Sequence, residues 1–286
     1  MSRCCNKNKF AAGLVVATAL LLPLTGRAYF LNDPDNFYQI STVFETGFIG
    51  VVSHHIQFGQ TGTVFDYVKE CGQRNLYLFK RYSVEVLLKP SHAFIFLYQP
   101  LDVRTEALLY QDLVVDSLLF PSGTPMNFRY GFDFFRVSYL YDFAKDPLAE
   151  LAFGLSFQIR NAAISFASQD GKLFRVNQNI GPVPILKFRW RQPVGKGGWL
   201  GAEADGFYAS GRYITGSAND FMGAIFDVSL RYGFKINKSL DGFFNVRYLG
   251  GGARGTQKDK SPNYPGDGFA DNWLNTLSFT LGFTLK

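Results

Sequence analysis

Three histidines, and charged residues recurring at every second position, are the groups in this sequence whose types and spacing could do chemistry. His54 and His55 are adjacent and His92 stands alone. General acid–base or nucleophilic catalysis needs an imidazole close to a carboxylate or hydroxyl. No serine or acid sits at a spacing that demands such a partnership, so His54 and His55 enter as catalytic candidates by residue type alone. The charged set is richer. Lys187, Arg189 and Arg191 alternate along one segment, Glu203 and Asp205 along the next, Asp227 and Arg231 along a third, with Arg247 beyond; Arg81 with Glu85, and Arg160, follow the same rule elsewhere. A spacing of two places side chains on one face of a strand, and neighbouring antiparallel strands bring such faces within ion-pairing reach. The chemistry implied is an internal ladder of ion pairs, or a charged constriction that selects solutes. Asp66, Glu70, Asp112, Asp116, Asp267 and Asp271 could offer carboxylate oxygens to calcium, but without EF-hand spacing. They read as solvated loop residues, and no metal or cofactor is expected. Phe120 to Pro125 reads as a turn-rich loop tip, and Gly250-Gly251-Gly252 as a bend or bulge; neither has the setting of a nucleophile elbow or phosphate loop.

Positioning these groups requires strands. From Trp273 to Lys286, Trp273, Leu277, Phe279, Leu281, Phe283 and Leu285 share one face, and Leu274, Thr276, Ser278, Thr280, Gly282 and Thr284 the other. Period two with an apolar and a small-polar side is a strand signature. Leu151, Phe153, Leu155, Phe157 and Ile159 repeat it against Glu150, Gly154, Ser156, Gln158 and Arg160; Met222, Ala224, Phe226, Val228, Leu230, Tyr232 and Phe234 repeat it against Asp227, Ser229, Arg231 and Lys235. The segments are longer than the ~5–6 residues of most soluble strands and long enough for the ~9–11 of a tilted spanning strand. Ten are predicted: 44–59, 75–89, 92–107, 124–143, 148–166, 180–194, 197–210, 221–235, 241–254 and 270–285; eight or twelve would satisfy the same pattern. On the first, His54 shares its face with Phe48, Val52, Ile56 and Phe58 and is expected to point outward at the rim, whereas His55 shares its face with Ser53 and Gln57. His92 falls beside a short turn, which it is expected to cap. Parity is unclear only around Arg129, Asp133 and Arg136, where a bulge or an exit from the membrane is expected.

The joins alternate between short (Pro90-Ser91, Ala144 to Pro147, Gly195-Lys196, Ile236 to Leu240) and long (60–74, 108–123, 167–179, 211–220, 255–269). Membrane barrels have this asymmetry of periplasmic turns and outer loops, and soluble sandwiches have no reason for it. Tyr139, Tyr141, Trp190, Trp199 and Trp273 stand near strand ends, where two aromatic girdles are expected.

The N-terminus carries Arg3, Lys7 and Lys9, then an apolar run from Phe10 to Leu24, then Gly26-Arg27-Ala28. That is a secretory signal pattern, with cleavage expected near Ala28. Its removal lowers 29 cations to 25 against 23 carboxylates, a net charge of +2, so basicity does not argue for nucleic acid. Only Cys71 remains, which excludes an intrachain disulfide and a multi-cysteine zinc site. The predicted organisation is a cleaved signal over 1–28, a short periplasmic segment over 29–43, and a closed, all-β, antiparallel up-and-down barrel over 44–286.

Residues 44–286 resemble bacterial outer-membrane β-barrel proteins as a class. The sharpest piece, Leu277-Ser-Phe-Thr-Leu-Gly-Phe283, is similar to their C-terminal assembly signal; that signal commonly ends in an aromatic residue, and this chain ends Phe283-Thr284-Leu285-Lys286. The resemblance implies residence in the bacterial outer membrane, with membrane lipid and the export and barrel-assembly machinery as partners. It implies either a small channel or an envelope-structural or surface-binding barrel; the alternative is an envelope hydrolase working through a rim histidine on lipid or peptide.

Overall fold

The computed structural model describes residues 36–146, 148–210, 222–256 and 266–286. The expected signal segment and its cleavage site lie outside them, as do 211–221 and 257–265. The barrel wall consists of β1 (Tyr38–Phe58), β3 (Leu76–Leu88), β4 (His92–Gln99) continued by β5 (Asp102–Leu108), β8 (Pro125–Asp142), β9 (Glu150–Ser168), β10 (Phe174–Val194), β11 (Gly198–Ser210), β12 (Met222–Lys235), β13 (Leu240–Thr256) and β14 (Phe269–Leu285). Each pairs antiparallel with its neighbour, and β14 returns to β1 from Thr42↔Leu285 to Phe58↔Ala270. The result is a closed ten-stranded barrel with small additions at its mouth. β4 and β5 form one strand interrupted at Pro100: Gln99↔Phe134 and Asp102↔Gly131 keep a single register with β8, as expected where a proline removes a ladder donor.

Two boundaries and the parity of β8 differ from the sequence expectation. β1 begins at Tyr38, where Tyr38↔Leu88 already pairs, so the segment assigned to 29–43 gives its last six residues to the barrel. The expected long join 167–179 is mostly ladder: Phe174↔Ala167 pairs, and only 169–173 turn. Its polar residues extend the hairpin, because Ser168, Asp170 and Gly171 close a tight turn, with Ser168 Oγ donating to Asp170 Oδ1 at 2.6 Å. β8 keeps one parity throughout. Met126, Phe128, Tyr130, Phe134, Arg136, Ser138 and Leu140 are buried, and Phe135, Val137, Tyr139 and Tyr141 are exposed. Aromatics occupy both faces there, which is why alternation of hydrophobicity disappears.

The outer face is apolar around the barrel: Phe48, Leu78, Phe96, Phe135, Phe157, Leu186, Leu230, Phe244 and Phe279 are all exposed. The mouth is closed by the long connections. β2 (Phe65–Asp66) pairs with β1, α1 (Tyr67–Glu70) follows it, and β6 (Leu113–Val115) pairs with β7 (Leu118–Phe120). Asp66 caps α1, accepting from Val68 N at 3.0 Å and Lys69 N at 3.1 Å, the usual device for the orphan donors of a first turn.

Candidate functional site

The interior divides into two storeys. At mid-height lie the charges. Asp227 on β12 is fully buried and is met by three guanidinium groups: Arg81 of β3 at 3.1 Å, Arg136 of β8 at 3.1 Å, and Arg247 of the adjacent β13. Arg81 and Arg136 reach it across the lumen. Asp205 and Asp227 stand directly opposite each other in the β11–β12 ladder, a repulsive arrangement on its own. Arg136 resolves it, its Nη1 lying 2.9 Å from Asp205 and 3.1 Å from Asp227. Its remaining donors go to Gln158 Oε1 at 3.0 and 2.8 Å.

Lys187 pairs with Glu203 and, at 3.0 Å, with Asp205. Arg231 reaches Glu203 at 2.8 Å. Arg189 forms a two-pronged pair with Glu85 at 2.8 and 2.6 Å and also meets Glu150. Glu45 accepts from Asn245 Nδ2 at 2.6 Å and Thr280 Oγ1 at 2.7 Å, with Arg247 3.7 Å away. Six cations (Arg81, Arg136, Lys187, Arg189, Arg231, Arg247) thus face six carboxylates (Glu45, Glu85, Glu150, Glu203, Asp205, Asp227), a neutral set. The cavity they leave is about 40 Å³, room for a water or two. Arg160 is half-buried one inward position above Gln158 on β9. Arg191 lies nearer the short turns, 3.9 Å from Asp241, with its guanidinium 4.2 Å from the Trp199 ring centre.

Trp199 corrects an expectation. It shares odd parity with Glu203 and Asp205, so it points inward and lies against Gly201 and Gly233; a Cβ at Gly233 would collide with its indole. Phe243 uses Gly282 in the same way, and the two rings close the short-turn end, 6.1 Å apart. Large side chains over glycines are how a narrow barrel fills its taper. Trp190 and Trp273, by contrast, share the outward parity of Leu186 and Leu277, and Tyr139 and Tyr141 are exposed on the outer face.

The upper storey is apolar. Ile56, Phe58, Met126, Phe128, Phe166 and Leu274 of the wall pack against Phe65, Tyr67, Cys71, Leu113, Val115 and Phe120 of the lid. His54 sits among them, and its orientation is a second correction. The β1–β14 register shifts between Val51 and Ser53. This bulge makes Val52 an extra residue and reverses parity beyond it. His54 therefore points inward, fully buried, stacked on Tyr67 with ring centres 4.7 Å apart. Its Nδ1 is 2.9 Å from Gln73 Oε1 and its Nε2 is 3.2 Å from Asn272 Oδ1. With both ring nitrogens engaged and no path to solvent, it pins lid to wall and is not placed for rim catalysis. His55 is the outward one, exposed and 3.7 Å from Asp66. His92 bonds the Tyr139 hydroxyl at 2.9 Å and does not cap the turn.

The loop carboxylates are used by their own loops. Asp66 caps α1, Glu70 accepts from Gln111 Nε2 at 2.9 Å, Asp112 accepts from Ser122 N at 2.8 Å, Asp267 accepts from Gln60 N at 2.7 Å, and Asp271 lies 3.6 Å from Arg254. Asp116, in the left-handed region at φ 55°, sits 3.5 Å from Arg175. Burial pushes its carboxyl up, against the pull of Arg175. Burial likewise pushes the Cys71 thiol up. Among the described residues no three His, Cys, Asp or Glu side chains gather as metal ligands.

Glu45 and Arg136 were not among the interior charges expected from sequence. Glu45 was readable from Phe44, Thr46 and Phe48 alternating around it. Arg136 was hidden by the inward aromatics of β8.

No family model matches the chain, and no curated protein matches it. Among solved structures it is similar to the outer membrane protease OmpT of Escherichia coli, with a TM-score of 0.50 and 9% identity over 88% of this chain and 97% of that one. The transport unit of the autotransporter AIDA-I from Escherichia coli aligns at TM-score 0.41 and 8% identity over 97% of each chain, and the toluene transporter TodX of Pseudomonas putida at 0.34 and 9% over 91% and 93%. These are bacterial outer-membrane β-barrel proteins. At such identity the likeness is one of fold and does not carry an activity across.

Proposed function

We propose that the chain is exported, trimmed near Ala28, and serves in the bacterial outer membrane as a closed, non-conducting barrel: an envelope-structural or surface-binding protein whose lumen is sealed. The membrane placement rests on the apolar outer face. Large side chains exposed on every wall strand suit hydrocarbon, and a water-soluble monomer rarely exposes so continuous a patch. With short turns facing the periplasm, the lid faces outward.

The observation that carries the sealed reading is Asp227, reached across the lumen by Arg81 and Arg136 while Arg247 holds its other oxygen. A selective constriction leaves charges of one sign facing water; this network is balanced, buried at its centre around Asp205 and Asp227, and stacked between an aromatic lid and the Trp199–Phe243 floor. The hydrolase alternative loses His54 to burial and keeps only the exposed His55–Asp66 pair. Planar-bilayer recording of the refolded protein tests the proposal. The expected outcome is a silent bilayer, with the fold verified by heat-modifiable gel mobility. Steady openings whose ion selectivity changes in Arg189→Ala would establish an aqueous pore instead.

A further inference from the structure

The barrel wall is not uniformly zipped. β10 and β11 pair from Val194↔Gly198 only as far as Leu186↔Gly206. Beyond that rung, among the described residues, 182–185 of β10 pair with β9 and 207–210 of β11 pair with β12, without pairing to each other. Pro182 and Pro184 sit in the first stretch past the split. Proline belongs where a strand has no ladder partner to receive an N–H, and in hydrocarbon an unpaired N–H is costly. These two residues therefore suit a seam that stays open.

A second observation falls at the same place. An apolar groove of about 340 Å³ begins at the split, lined by Tyr139, Leu155, Phe157, Pro184, Leu186 and Phe207. Its volume lies in the range of small-ligand sites, roughly 300–1,000 Å³. Leu155 and Leu186 present more than 60% of their surface to it and to the exterior. The polar atoms nearby are occupied: the Tyr139 hydroxyl by His92, and Ser156 Oγ by Ser138 Oγ at 2.8 Å.

We propose that this seam is a binding site for a single acyl chain of a membrane lipid, distinct from the general lipid contact around the barrel. The inference rests on the membrane reading above. Two features select an acyl chain over a protein segment. The groove offers carbon surface with its polar groups already bonded, and the split stretch 182–185 of β10 is blunted against strand addition by its Pro-x-Pro. The groove also lies within the exposed apolar belt, where acyl chains are the surrounding solvent.

The test reconstitutes the mature protein in phosphatidylcholine vesicles doped with phosphatidylcholine carrying a mid-chain diazirine, followed by photolysis and peptide mapping. Labelling of Leu155, Phe157 and Leu186 is expected to exceed that of the equally exposed Leu230, Phe244 and Phe279 by about tenfold, the preference given by roughly 1.4 kcal/mol of extra affinity. Leu155→Trp and, independently, Leu186→Trp fill the groove and are expected to abolish the excess while heat-modifiable mobility is retained. Even labelling around the belt would overturn the site and leave the membrane reading standing, as would photolinked dimers in place of lipid adducts. Absence of label from the whole belt would overturn both.

Discussion

The two storeys of the lumen fill the same narrow space with opposite materials. At mid-height the filling is dominated by ions paired both between neighbouring strands and across the lumen: Arg136 from β8 answers Asp205 and Asp227. Beneath the lid the filling is aromatic and aliphatic, and its polar members, His54 and Gln73, join the wall to the lid. An apolar filling is stabilised by area and tolerates imperfect direction. A charged filling is stable only when every member is present, since a buried ion without its partner costs far more than the pair returns. The lower storey therefore fixes where β3, β8, β11, β12 and β13 stand relative to one another, and the upper storey supplies bulk closure.

The largest expected effect breaks the lower storey. Arg136→Ala leaves Asp205 and Asp227 facing each other with one cation fewer, and we predict a loss of about 3–5 kcal/mol in urea unfolding from detergent micelles. Equal stability would mean that the network is not the keystone described. Next comes the upper storey, where Met126→Ala opens a cavity under the lid at a cost of about 2–5 kcal/mol. Its signature differs: Cys71, whose thiol is buried and pushed up in the native state, should become accessible to maleimide well before global unfolding. In Arg136→Ala, labelling should track global unfolding.

Asp66→Ala removes the cap of α1 and should cost about 0.5–2 kcal/mol, confined to the lid and read by hydrogen exchange of 66–71. Burial raises the Asp66 carboxyl, but the hydrogen bonds from Lys69 and Val68 outweigh it and hold it below the usual carboxylate range. A depressed carboxylate stabilises the fold above its unfolded pKa of about 3.9, and that stability is lost as the pH falls through the lower folded value. Lid protection should accordingly fade below about pH 4 in the parent protein, and far less in Asp66→Ala. The smallest effect is Tyr67→Phe. The Tyr67 hydroxyl is buried without a hydrogen-bond partner among the described residues, so its removal should be neutral or stabilise by about 1 kcal/mol. A marked destabilisation would reveal a partner for that oxygen.

How far the sequence could be read follows the same division. Where the outside is apolar and the inside polar, alternation shows the strand, its faces and its interior charges, and β9, β12 and β14 were legible residue by residue. Ion pairs between adjacent strands, such as Lys187 with Glu203, followed from spacing. Those that cross the lumen did not, because Arg81 and Asp227 are 146 positions apart and nothing local links them. In the upper storey both faces are apolar, so the parity of β8 disappeared. A single extra residue at Val52 then turned His54 from the outer face to the inner one. Trp199 was placed by its nearness to a turn when its parity with Glu203 already assigned it to the interior.

The closing seam has a consequence for how this molecule comes to exist. Thr42 pairs with Leu285, partners separated by 243 positions (285 − 42). Loop-closure entropy opposes such a contact until the eight strands between them are arranged. Throughout that interval β1 and β14 each present an open edge, the kind of surface that recruits strands from other chains. Assembly is therefore a race between closing that one junction and aggregating through it. Substitutions along 42–51 or 276–285 should reveal themselves as lower yield of folded protein before they register in the stability of the barrel once formed.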